Sequence, residues 1–105
     1  MDLRGRKLGL LLSCGPDRPG FHQGLHLASA ALERGIDTYV YCLDEGVAGV
    51  GLAALQDLRV AGVKLYACAY GAQQRGLPVD DRAIYVGLTV LSDLFAGTDR
   101  MVNFN

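Results

Sequence analysis

Three cysteines are the residues of this chain best equipped for covalent chemistry. Cys14, Cys42 and Cys68 are odd in number and irregularly spaced, with no C-x-x-C pair. That pattern fits neither a disulfide framework nor a zinc ribbon, and reads as free thiols in a reducing compartment. A cysteine acts as a nucleophile through its thiolate, which a nearby positive potential favours. Cys68 is placed for this: it follows an apolar stretch over 63–67 that reads as a strand, and it begins a short helical stretch closed by Arg75-Gly76. Its sulfur is therefore expected beside the unpaired backbone N–H groups of a helix start, and as a thiolate at neutral pH. Against this stands a simpler role, since a cysteine between Ala67 and Ala69 also serves as a small apolar filler. Cys42, flanked by Tyr41 and Leu43 inside a strand-like run, reads as a buried apolar residue with no role.

Other candidate groups carry weaker signals. His22 and His26 lie four apart, on one helical face, with Cys14 upstream as a conceivable third metal ligand, but no fourth ligand is evident and ordinary hydrogen bonding accounts for both histidines. Gly15, Gly20 and Gly24 match neither G-x-G-x-x-G nor a phosphate loop ending in Gly-Lys-Ser/Thr, so nucleotide binding is disfavoured. Asp44 and Glu45 are adjacent on a turn, where they solvate it and do not form a catalytic carboxylate pair. Four of the five tyrosines, Tyr39, Tyr41, Tyr66 and Tyr85, fall in strand-like segments and read as half-buried packing. Tyr70 neighbours Cys68 in sequence and is expected to present its hydroxyl to that sulfur.

The elements that must position these groups follow from periodicity and breakers. An apolar run over 7–13 stops at Cys14-Gly15-Pro16-Asp17 and reads as a buried strand. Phe21, Leu25, Ala28, Ser29 and Leu32 then share one helical face, closed by Arg34-Gly35. Residues 36–43 are rich in β-branched and aromatic side chains and end at Asp44-Glu45-Gly46. The spacing of Val50, Ala54, Leu55 and Leu58 predicts a helix over 50–61 closed by Gly62, followed by the strand over 63–67. Past Pro78, a short strand over 83–87, a helix carrying Val90, Leu91, Leu94 and Phe95, and a last strand over 100–104 complete the rhythm. Strand and helix alternating throughout imply right-handed crossovers. The expected fold is therefore α/β: a three-layer sandwich with a mainly parallel five-stranded sheet and helices on both faces. Sites in such sheets lie beyond the carboxyl ends of the strands, which selects the loops at 13–24, 43–49 and 68–70.

The chain's 105 residues suit a single domain, 1–105, and 50% hydrophobic residues supply its core. Ten Lys plus Arg balance eleven Asp plus Glu, leaving no basic stripe for nucleic acid or an anionic membrane surface. No apolar run approaches the roughly 20 residues that span a bilayer, and the basic start is not followed by a signal-peptide core. A soluble, cytoplasmic protein is expected.

Residues 63–76, Val-Lys-Leu-Tyr-Ala-Cys-Ala-Tyr-Gly-Ala-Gln-Gln-Arg-Gly, resemble the strand, cysteine and helix of the DsrE/DsrF/TusD sulfur-relay family. The opening Leu10-Leu11-Leu12-Ser13-Cys14-Gly15-Pro16, the later Leu43-Asp44-Glu45-Gly46-Val47 and the closing residues 98–104 resemble further segments of that family, in order and over nearly the full chain. The resemblance implies that Cys68 carries sulfur as a persulfide between a protein donor and a protein acceptor, with no cofactor, in a homo-oligomer, a trimer or hexamer. For such exchange Cys68 must be reachable, and the small neighbours Ala67, Ala69, Gly71 and Ala72 are expected to permit close approach. Cys14, at the carboxyl end of the first strand and on the same sheet edge, could then resolve a persulfide or disulfide. The alternative is an assembly or small-molecule-binding subunit of the same fold, with structural cysteines and the loop at 13–24 as its binding segment.

Overall fold

A computed structural model describes residues 2–105 of the chain. Five strands, β1 (Lys7–Leu12), β2 (Asp37–Cys42), β3 (Lys64–Cys68), β4 (Ile84–Val86) and β5 (Arg100–Phe104), form one sheet in the order β4-β3-β2-β1-β5. Every neighbouring pair is parallel, and each strand lies within one residue or so of the run that predicted it. Four α-helices connect them: α1 (Pro19–Glu33), α2 (Ala53–Ala61), α3 (Ala69–Gln74) and α4 (Leu88–Gly97).

Each helix has a local reason for its limits. Pro19 opens α1, where its missing N–H would have had no partner anyway. Arg34 and Gly35 close that helix, Gly35 at φ 74°, a left-handed conformation that glycine adopts without a Cβ clash. Phe21, Leu25 and Ala28 are buried beneath α1, on the face that the sequence periodicity assigned to the core. Gly24 is the close-approach point: a Cβ there would press into Leu12 and Phe104 of the sheet.

Progress from β1 through β2 and β3 to β4 runs one way across the sheet, so right-handed crossovers place α1, α2 and α3 on one side. The step from β4 back to β5 runs the other way and places α4 on the opposite side, giving three layers. The core centres on β1, β2 and β3, where Leu10, Leu12, Val40, Tyr41, Cys42, Leu65 and Ala67 are almost wholly removed from water.

One expectation is corrected between β2 and α2. The predicted helix over 50–61 begins only at Ala53, because Leu52 is extended as its cap, and residues Asp44–Gly49 form a 3₁₀ turn where a plain turn was expected. Asp44 enters that turn at φ 51°, a left-handed position that aspartate tolerates better than most side chains. Gly46 then lies so tightly on the end of β1 that a Cβ would collide with the Leu12 carbonyl. Short 3₁₀ pieces of this kind leave no long apolar period to read.

Candidate functional site

Because every strand is parallel, all five carboxyl ends lie along one edge, and Cys14 and Cys68 both emerge there. The strands they follow or end, β1 and β3, are separated by β2. Cys42 lies between them in the row Leu12, Cys42, Ala67, and is fully buried. All three thiols are free.

Cys68 is the last residue of β3 and the N-cap of α3 at once. Its backbone is extended, and its Sγ accepts a hydrogen bond from the Gly71 N–H at 3.3 Å, so the sulfur occupies the position that a serine or aspartate oxygen takes in an ordinary cap. The positive end of the first turn thus points at the sulfur. Gly71 is itself held from its other side: its carbonyl accepts from Arg75 Nη1 at 3.2 Å, and Arg75 Nη2 pairs with Glu45 Oε1 at 2.9 Å. Glu45 belongs to the 3₁₀ turn, whose Val47 also packs over Gly71. A carboxylate on the turn after β2 therefore ties down the turn that holds Cys68.

Accessibility differs from expectation. Cys68 is only 4% exposed, and of the neighbours expected to leave it open, Ala67, Gly71 and Ala72 are themselves buried. Tyr70, expected to offer its hydroxyl to the sulfur, is 68% exposed. The phenol beside Cys68 is that of Tyr41 on β2, whose hydroxyl donates to the Gly87 carbonyl at 3.1 Å. Burial, then the charge and hydrogen bonding of the adjacent Cys68, push the Tyr41 hydroxyl up to about 12. The Cys42 thiol is pushed up to about 12 by burial. From the sequence Tyr41 reads as a packing residue; only the register, pairing Tyr41 with Tyr66 two residues before Cys68, places it here.

Cys14 is 8% exposed and lines a small cleft of about 200 Å³ with Gly15, Asp17, Arg18 and Glu45. Glu45 thus borders both the Cys14 cleft and the clamp on α3. Larger cavities lie at the opposite edge, where Leu3, Arg6, Lys7, Leu8, Ile36, Asp99 and Arg100 surround about 460 Å³. His22 Nε2 stands 2.6 Å from the Pro16 carbonyl, which makes that nitrogen the donor. Among the described residues, no three His, Cys, Asp or Glu side chains converge to hold a metal ion.

No family model matches this chain, and no curated protein matches its sequence. Among solved structures, the crystal structure of the ychN protein from E. coli superposes with a TM-score of 0.77, covering 94% of this chain and 98% of that one. The two share a fold. With 18% of residues identical, the likeness extends to architecture and to nothing finer. Among the described residues, no helix is long and apolar enough to cross a membrane.

Proposed function

We propose that this protein is a sulfur carrier of the DsrE-like kind, passing persulfide sulfur between protein thiols through Cys68 in the cytoplasm. The observation that carries the reading is the cap itself: the sulfur of Cys68 accepts the Gly71 N–H at the sheet edge where parallel α/β folds place their chemistry. The architecture shared with YchN agrees with the one that the sequence resemblance implies. In the reaction the Cys68 thiolate attacks the outer sulfur of a donor persulfide; a new S–S bond forms, the donor's S–S bond breaks, and the donor leaves as a thiolate. An acceptor thiolate then takes the outer sulfur by the same step, returning Cys68 as a thiolate. The exchange is redox-neutral and draws on no cofactor.

Burial sets a condition on this chemistry. With 4% of Cys68 exposed, a donor reaches the sulfur only when the elements packed over it part. Cys14 is assigned no part in loading.

Incubation with a persulfide donor is expected to add one sulfur, about 32 Da, to the wild type and none to Cys68→Ser, while Cys14→Ser and Cys42→Ala still load. Sulfur uptake by Cys68→Ser at the wild-type rate, or its loss in Cys14→Ser alone, overturns the assignment.

The chain is further proposed to associate with copies of itself. None of the ten residues of α4 is buried although most are apolar, with Leu88 and Phe95 each more than half exposed, as is Ile84 on the outermost strand β4. Symmetric association removes such surface from water.

A further inference from the structure

Tyr41 occupies an unusual place for a core aromatic. Its register partner on β3 is Tyr66, and side chains two apart along a strand share a face, so Tyr41, Tyr66 and Cys68 lie on the same side of the sheet. Cys68 in turn pairs with Val86 on β4. From β2 the Tyr41 ring crosses β3 completely, since its hydroxyl reaches the Gly87 carbonyl at 3.1 Å and the Val86 carbonyl at 3.5 Å. That path carries the phenol oxygen past the Cys68 row, inside a side chain that is fully buried.

We propose that Tyr41 is a positioning residue for Cys68, holding the sulfur from the side opposite the Gly71 N–H in both of its charge states. With Cys68 as a thiol, the phenol oxygen accepts the S–H while its own proton goes to Gly87, giving a chain from Gly71 N–H through sulfur and phenol to carbonyl. With Cys68 as a thiolate or persulfide anion, the phenol turns its O–H onto the sulfur. No covalent bond changes in either arrangement. A phenol keeps its proton throughout the physiological range, and burial raises Tyr41 further, so the hydroxyl has a proton to donate in either arrangement. The purpose of this role rests on the sulfur-carrier reading, whereas the contact is testable without it.

Tyr41→Phe keeps the ring and removes the hydroxyl. Infrared difference spectra against Cys68→Ser isolate the S–H stretch of Cys68, and in Tyr41→Phe that band is expected to move to higher frequency. Iodoacetamide labelling mapped by mass spectrometry is expected to slow about tenfold at Cys68 and to stay unchanged at Cys14, as loss of a hydrogen bond to a charged group dictates. An unmoved band overturns the proposal whatever the rate does. Should Tyr41→Phe fail to fold, Cys68→Ala keeps Tyr41 and tests the same contact: the tyrosine Raman doublet, which reports whether a phenol donates or accepts, is expected to change its intensity ratio, and an unchanged ratio overturns the proposal. Band shifts in a wild type that takes up no sulfur from a persulfide donor support the contact and overturn the carrier reading instead.

Discussion

Water does not reach Cys42, and its thiol keeps its proton far into alkali, up to about 12 against an ordinary 9.0. Tyr41 is raised from 10.0 to about 12, chiefly by burial. Both groups are neutral when protonated and titrate later in the folded state than in the unfolded one. The stabilisation they lend is therefore whole below pH 9, and above it the unfolded chain sheds protons that the folded chain retains. Stability is expected to fall between pH 9 and 12, at up to about 1.4 kcal/mol per pH unit for each group. Urea denaturation of Cys42→Ala across that range should fall less steeply than the wild type, and parallel curves would refute the assignment. At this scale the sequence was legible in part. A cysteine between an apolar run and a helical stretch marked Cys68, because both signals are local. Tyr41 escaped because its contact depends on how β2 pairs with β3, and register is a property of two strands that neither discloses alone.

Among the elements, the 3₁₀ turn is the one we propose governs access to Cys68. Its Glu45 grips Arg75 at 2.9 Å, and Arg75 holds the Gly71 carbonyl, so the turn acts as a clasp over the start of α3. Glu45 is 70% exposed and Arg75 29%, which limits such a pair to less than about 1 kcal/mol. Glu45→Gln is accordingly expected to raise Cys68 alkylation two- to fivefold. Cys42 supplies the internal control: its labelling requires global opening, so equal acceleration at Cys42 and Cys68 would mean general destabilisation and not release of a clasp. Raised salt should act on the wild type in the same direction as the substitution. Sequence patterns located every strand and α-helix but not this clasp. Asp44-Glu45-Gly46 has the composition of a solvated turn, and nothing in it announces that Gly46 will be pressed against Leu12 or that Glu45 will meet a residue thirty positions away.

For the molecule as a whole, alternating apolar runs and helical periods sufficed for the class, while the order of strands was beyond them, since any right-handed arrangement satisfies the same pattern. The order also leaves α4 alone on its side of the sheet with its apolar residues half in water. Light scattering at micromolar concentration is expected to find a particle larger than 11.2 kDa, and Phe95→Glu to return it to that mass. A wild type already at 11.2 kDa would count against self-association. The pairing of β5 with β1 reaches beyond the finished fold. β1 is made well before its second neighbour, so until residues 100–104 follow, the row of Leu8, Leu10, Leu11 and Leu12 waits with one side of its backbone ladder unfilled. A nascent chain that has not yet added β5 therefore displays an open, leucine-rich edge of the kind that recruits other chains.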